Sequence, residues 1–270
     1  MSRLQIHPIP AFTDNYIWCL HDQQQAVVVD PGDAVPVRHY LQQQGLSLAG
    51  ILVTHHHPDH VAGINTLVEQ WPGITVWGPA QERIPAMTQP LKQGDSVTLP
   101  LELQLSVMEV PGHTLGHIAY FCENLDAQDT GSQGTKSPVL FCGDTLFSSG
   151  CGRLFEGTPE QMFASLGLFR RLPAETRVYC THEYTLSNLK FALAVEPDNA
   201  DIQQRQADVE KLRAAHRPSL PSNLGLERLV NPFLRTDQTD VVEAVIRNCG
   251  ARPASEVQTF AKLRAWKDHF

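Results

Sequence analysis

Seven consecutive residues, Thr54-His55-His56-His57-Pro58-Asp59-His60, carry five side chains able to bind a metal ion or hold a proton. They follow the apolar run Ile51-Leu52-Val53, which with Thr54 reads as a short buried strand introduced by Gly50. Side chains alternate faces along an extended segment, so His55 and His57 share a side and His56 points away. Two imidazoles can then converge on one ion. Asp59 and His60 lie beyond Pro58, which bends the chain, and can be aimed at a second ion. A surface cluster explains two or three neighbouring histidines, but it does not explain the regular H-x-H-x-D-H spacing.

The elements that must hold this stretch can be read on either side of it. Residues 4–9, 17–20 and 26–29 alternate as the strands of a meander, closed by Asp30-Pro31-Gly32, where Asp30 could be functional but reads first as a turn residue. A helical pattern over residues 35–44 stops at Gly45, and another over 63–70 stops before Trp71-Pro72-Gly73, with a strand at 75–77. Strand, ligand loop, helix, strand is an α/β rhythm. Strands at 97–99 and 101–110 lead into Gly112-His113-Thr114-Leu115-Gly116-His117. His113, nearest the strand end, is the expected third imidazole. His117 opens the strand 118–122 and reads equally well as a packed histidine. The polar stretch 123–138 is expected to be a mobile surface loop.

The next strand, 139–142, ends in Gly143-Asp144-Thr145. Asp144 is either a turn aspartate or, with its two oxygens, a bridge between two cations. A glycine-punctuated loop over residues 150–157 holds Arg153. Thr158-Pro159-Glu160-Gln161 marks a helix start with cap, first-turn proline and capping-box glutamine. That helix is expected to run to about residue 171; a strand at 178–180 then delivers Thr181-His182-Glu183-Tyr184. Beyond it the pattern is helical, over residues 187–195, 200–216, 240–248 and 255–267, with Asp240 and Ser255 as start signals. The reading is a catalytic α/β domain over 1–182 and a helical domain over 183–270.

Composition narrows the function. With 270 residues, 42% hydrophobic content and a formal charge of −8, the chain can bury a large core but offers no basic excess to attract nucleic acid or a membrane surface. No apolar run approaches the ~18 residues of a membrane span, and the first ten residues lack a basic-then-apolar leader pattern. A cytoplasmic location is expected. The six cysteines show no C-x-x-C spacing and several sit in apolar runs, so they read as buried thiols.

The strand-end ligands sort into His55, His57 and His113 for one ion, Asp59, His60 and His182 for another, and Asp144 between them. Imidazoles and carboxylates without thiolates suit Zn²⁺, Fe²⁺ or Mn²⁺, and the ligand types alone do not choose. Two such ions about 3.5–4 Å apart can share a hydroxide of lowered pKa and hydrolyse a carbonyl or phosphoryl substrate. The expectation is two divalent ions per chain, zinc first, with iron or manganese as alternatives.

At these residues the chain resembles a known family. Thr54-His55-His56-His57-Pro58-Asp59-His60 fits the T-H-x-H-x-D-H signature of the metallo-β-lactamase superfamily. Phe12-Thr13-Asp14-Asn15-Tyr16, Pro111-Gly112-His113-Thr114, Phe141-Cys142-Gly143-Asp144-Thr145, Gly150-Cys151-Gly152-Arg153 and His182-Glu183-Tyr184-Thr185 are similar to segments of glyoxalase II, the hydroxyacylglutathione hydrolases, in the same order. The ending Arg264-Ala265-Trp266-Lys267-Asp268-His269-Phe270 is similar to that family's tail. With a monomer as a separate expectation, the resemblance implies a four-layer αββα sandwich with a C-terminal helical domain, and hydrolysis of the thioester S-D-lactoylglutathione to glutathione and D-lactate. It implies that the seven ligands take the roles above, with Asp59 and Asp144 catalytic, and that Arg153, Phe155, Tyr184, Arg264 and Lys267 bind the glutathione moiety. Phe155 stands where some members carry a contacting tyrosine, and the segment around 129–136 is longer than expected. The competing readings are a lactonase, a β-lactamase or an RNA-processing nuclease of the same superfamily, and a metal-binding protein without activity.

Overall fold

The computed structural model describes residues 4–128 and 136–270, and the chain divides into two compact units. The first comprises residues 1–109 and 116–143, the second 110–115 and 144–270.

The first unit opens with the expected meander: β1 (Leu4–Ala11), β2 (Asn15–His21) and β3 (Gln25–Val29) pair antiparallel in turn. Helix α1 (Ala34–Gln44) starts where the Asp33 carboxylate accepts the Val35 amide and ends where Gly45 takes a left-handed φ of 67°. Its buried residues, Ala34, Val37 and Leu41, recur at helical spacing. Burying each of the two larger ones contributes about 1.5–3 kcal/mol. From there the sheet turns parallel: β4 (Ser47–Leu52) lies beside β3, β5 (Thr75–Pro79) beside β4 and β6 (Gln89–Leu91) beside β5. A single turn, α2 (Pro58–Val61), and α3 (Ile64–Gln70) fill the crossover from β4 to β5. The proline that bends the chain is the first residue of α2, where its missing N–H costs nothing.

The second sheet of this unit is an antiparallel run of β7 (Ser96–Leu99), β8 (Leu103–Glu109), β9 (Ile118–Leu125) and β11 (Ser137–Gly143). The short β10 (Ala127–Gln128) instead pairs parallel with β1. The expectation of a loop across 123–138 is therefore corrected at both ends. β9 runs on to Leu125 and β11 begins at Ser137, because cross-strand pairing, not apolar content, carries the backbone there. The remainder of that expectation, including the insertion around 129–136, falls mainly outside the described residues.

The second unit begins with a tight hairpin, β12 (Leu146–Phe147) and β13 (Gly150–Cys151). Helix α4 (Pro159–Arg170) has the predicted capping box, Thr158 and Gln161 bonding reciprocally. β14 (Arg177–Cys180) pairs with β15 (Ser222–Asn223), between which lie α5 (Thr185–Val195) and α6 (Ala200–Ala214). Then follow α7 (Leu224–Val230), α8 (Thr239–Cys249) and α9 (Glu256–Asp268). Leu189, Ala192, Ile202, Val209 and Val230 form one apolar cluster of this unit. Two sequence expectations change. α7, capped by Asn223, was hidden between Asn- and Pro-rich turns, and α8 starts after Gln238, so Asp240 sits in its first turn and does not cap it.

Candidate metal centre and substrate pocket

In the first unit the ligand stretch begins where β4 ends. The Tyr120 hydroxyl of β9 donates to the Val53 carbonyl at 2.8 Å, and the Ile118 amide donates to the Thr54 carbonyl at 3.0 Å, so both sheets grip the strand before it opens. The imidazole tautomers then follow from the partners. Asp30 accepts from the Thr54 amide and hydroxyl, each at 2.7 Å. With its proton given to Asp30, the Thr54 oxygen accepts from His55 Nδ1 at 3.0 Å, which leaves the lone pair of His55 on Nε2. The Asp30 carboxylate also lies 3.1 Å from His60 Nδ1. Asn15, buried, donates to Asp59 Oδ2 at 3.1 Å.

The outcome is a convergent set: His55 Nε2 lies 3.1 Å from His57 Nδ1, and His60 Nε2 lies 3.5 Å from Asp59 Oδ2. His56 turns aside to Glu82 at 3.0 Å, as the alternation predicts. His117 is buried and stacked on His55 with ring centres 4.6 Å apart. Asp30 is the residue to which the sequence gives too little weight. Its place directly after a buried strand was the available signal, and a turn role was the wrong weight to give it, because a buried carboxylate at a strand end must find donors.

Gly143 closes β11 at φ 49°; a Cβ there would stand 2.3 Å from Thr54 Oγ1, so only glycine lets the strand end so near the ligand stretch. The next residue is Asp144.

In the second unit, His113, Asp144 and His182 come together. Asp144 Oδ2 is 3.5 Å from His113 Nε2 and 3.2 Å from His182 Nε2. His113 Nδ1 donates to the Arg153 carbonyl at 2.9 Å, which again reserves Nε2. The glycine-punctuated loop makes this possible: a Cβ on Gly152 would lie 1.9 Å from the Asp144 carbonyl oxygen. His182 is stacked on Tyr184 at 4.7 Å, nearly parallel.

The donor sets fit divalent ions. Two ligands on a tetrahedral ion with bonds of about 2.0–2.1 Å stand about 3.3 Å apart. The four donor pairs, two in each unit, span 3.1 to 3.5 Å. Imidazole nitrogens and carboxylate oxygens facing one another at that separation, with the far side of the His55 and His113 rings hydrogen-bonded and that of His60 beside the Asp30 carboxylate, suit a metal ion.

A pocket of about 430 Å³ within the second unit is lined by His113 and Asp144 and by Arg153, Phe155, Tyr184, Arg264 and Lys267. Every residue assigned to glutathione from the sequence thus faces one cavity. Their settings differ. Arg153 is exposed and 3.8 Å from Asp268, while Arg264 is buried, its Nη1 donating to the Cys151 carbonyl at 2.9 Å and its Nη2 to Asp268 at 3.1 Å. Its guanidinium also lies 5.1 Å from the centre of the Phe233 ring. Burial, reinforced by the neighbouring Arg264 charge, pulls the Lys267 ammonium down to about 8. Phe155 is exposed, with its ring centre 5.3 Å from that of His113. Cys151 also lines the pocket, and burial pushes its thiol up, opposite to what a nucleophile needs.

Comparison with known proteins agrees with this geometry. The model of the metallo-beta-lactamase superfamily matches residues 12–182, and that of the hydroxyacylglutathione hydrolase C-terminus matches residues 183–270. A hydroxyacylglutathione hydrolase of Pseudomonas fluorescens is 55% identical over 99% of this chain and 100% of its own length. One of Cupriavidus taiwanensis is 52% identical over 99% of both chains. Among solved structures, ETHE1 from Myxococcus xanthus superposes with a TM-score of 0.61 at 21% identity, covering 98% of this chain and 97% of its own. TTHA1623, solved in a di-iron-bound form, superposes with a TM-score of 0.54 at 25% identity, covering 84% of this chain and 99% of its own. The expected fold class, an α/β αββα sandwich of the metallo-β-lactamase type with a helical C-terminal domain, holds. Its two matched segments and its full-length relatives place the chain in the hydroxyacylglutathione hydrolase family of the metallo-β-lactamase superfamily.

Proposed function

We propose that the protein hydrolyses S-D-lactoylglutathione and related S-2-hydroxyacylglutathiones, releasing glutathione and the hydroxy acid, D-lactate in the first case. This is the second step of methylglyoxal detoxification, and the hydroxyacylglutathione hydrolases that share half of its sequence support it. The observation that carries the reading is the pocket itself, in which two ligand residues, His113 and Asp144, share one cavity with Arg153, Arg264 and Lys267. A glutathione thioester has a reacting carbonyl at one end and two carboxylates remote from it. The pocket has the complementary order in a protein whose net charge of −8 would otherwise repel the anion.

His55, His57 and His113 would hold one divalent ion, Asp59, His60 and His182 a second, and Asp144 would bridge them. When bound, such ions supply an activated water at neutral pH and polarise the thioester carbonyl. Zinc is the first choice, with iron or manganese as alternatives; the di-iron form of TTHA1623 is a relative's precedent for iron. Asp59 and Asp144 are the proposed catalytic carboxylates: Asp144 would help hold both ions, and Asp59 would take up the proton of the attacking water. Asn15 and Asp30 keep Asp59 and His60 oriented for this. Arg153 and Lys267 draw the glutathione carboxylates, and Tyr184 and Phe155 flank the path to the carbonyl. The leaving thiolate, with a pKa near that of cysteine at about 8.5, departs without a strong general acid.

The functional division is proposed at residues 1–182 for catalysis and 183–270 for substrate binding. Among the described residues no helix is long and apolar enough to cross a membrane. A monomer working in the cytoplasm on a small substrate, without nucleic acid or membrane, completes the reading. Release of free thiol from S-D-lactoylglutathione by the metal-loaded protein tests it. Turnover that stops on chelation and returns with added ion is expected, and its absence with both ions bound would overturn the assignment.

A further inference from the structure

We propose that Glu227, a residue outside the pocket, is a positioning residue that sets the conformation of the β12–β13 hairpin and, through it, the glutathione end of the pocket. The inference rests on the pocket being a glutathione site. Glu227 lies on α7 and is fully buried. Its Oε2 accepts from the Ser149 amide at 2.7 Å and from Asn231 Nδ2 at 3.1 Å. Its Oε1 accepts from the hydroxyl of Ser148 at 3.0 Å and from that of Ser222. All four acceptor positions of one carboxylate are thereby used.

The hairpin is tied at each residue from Phe147 to Gly150. Asn231 Nδ2 also donates to the carbonyls of Phe147 at 3.2 Å and Gly150 at 2.9 Å, and Asn188 Nδ2 donates to the Ser148 carbonyl at 3.0 Å. At the tip, Ser149 adopts φ 57°, a left-handed conformation that costs a residue with a Cβ and persists only when its surroundings impose it. The Glu227 carboxylate on the Ser149 amide is that imposition. Asp144 lies just before the hairpin and Arg153 just after it, Phe147 and Cys151 line the pocket, and the Cys151 carbonyl is the acceptor that orients Arg264.

Burial pushes the Glu227 carboxyl up although its hydrogen bonds oppose it. Removing the carboxylate would take the acceptor from four buried donors. What an apolar residue cannot do is hold the Ser149 amide and the Asn231 amide group in place. The carboxylate therefore specifies one hairpin conformation.

The test compares Glu227→Leu with Glu227→Gln in the metal-loaded, full-length protein. The substrates are S-D-lactoylglutathione and a small lactoyl thioester lacking both glutathione carboxylates. Bound metal and thermal unfolding are measured alongside. Glutamine can accept from Ser149 and Asn231 through its oxygen and donate to the two serine hydroxyls, so it should stay within about threefold of wild type on both substrates. Leucine should raise KM for lactoylglutathione about tenfold or more, with two ions retained and kcat/KM on the small thioester changed less than about twofold. Unchanged KM in the leucine variant, or equal losses on both substrates, would overturn the proposal. If the leucine variant does not fold, Ser148→Ala provides the second reading. A KM increase of about twofold to threefold confined to the glutathione thioester is expected, and none would overturn it. Wild-type protein that cleaves neither thioester would instead overturn the functional assignment. Glu227 would then be judged by calorimetry with glutathione itself, where equal affinity in wild type and Glu227→Leu counts against it.

Discussion

The two units contribute the same kinds of candidate ligand by opposite constructions. The first offers His55, His57, Asp59 and His60 from a single stretch, held from behind by side chains, Asp30 and Asn15. The second gathers His113, Asp144 and His182 from three separate strand ends and supports His113 with a backbone carbonyl, that of Arg153. A local set can be preorganised by a few polar side chains. A dispersed set depends on loops that must themselves be fixed, and it is here that Gly152 and the hairpin tied by Glu227 are found.

The comparison can be broken most severely at Asp144. Removing the carboxylate shared by both proposed ion sites should lower kcat by more than ~100-fold and reduce bound metal, since losing even a residue that only supports a ligand costs about 10–100-fold. Elemental analysis with initial rates on Asp144→Ala checks this; full metal content with near-normal turnover would remove Asp144 from the centre. Next in size is Asp30→Asn, whose amide cannot accept from Thr54 and His60 together. Metal affinity should fall about 10–100-fold. Its counterpart, Arg153→Ala, keeps the carbonyl that holds His113 and should leave metal affinity unchanged while raising KM. Competition with a chromogenic chelator measures both, and equal losses would show that the two constructions do not differ.

Arg264 and Lys267 sharpen the contrast within the pocket. Because Arg264 holds the Cys151 carbonyl and stacks on Phe233, Arg264→Ala should cost about 1–3 kcal/mol of stability as well as raising KM. Denaturant unfolding beside the two-substrate assay separates these effects. Lys267 should act through its charge. With its ammonium near 8, KM for the glutathione thioester should climb as pH rises through about 8, and Lys267→Met should flatten that climb. The stability effect has the opposite sign. Between about 8 and the usual lysine value of 10.5 the unfolded chain holds a proton that the folded one gives up, so this group's contribution improves with rising pH across that window. The smallest expected effect belongs to the cysteines. Five are buried and Cys249 is exposed, so thiol-blocking reagent added to the folded protein should leave turnover unchanged.

The candidate ligand residues were legible because their chemistry is written as spacing: H-x-H-x-D-H in one place, and a histidine or acid after Gly112, Gly143 and Cys180 in others. The β–α order of the first unit and the capping box at Thr158 were legible for the same reason, since periodicity and caps are local. What escaped was long-range. Asp30 looked like a turn residue until its partners at Thr54 and His60 were in place. Glu227 sat in a helix concealed by turn-forming neighbours, and no local pattern separates a fully buried glutamate from an exposed one. Glu123, Asn124 and Ser137 are polar, and only pairing reveals that the strands reach them.

The most direct test of the central claim is to titrate metal into stripped protein while following hydrolysis of S-D-lactoylglutathione. The account predicts that activity is lost on stripping, returns with added zinc, iron or manganese, and reaches its maximum at two ions per chain. Full activity at one ion, or no hydrolysis with two bound, would contradict it.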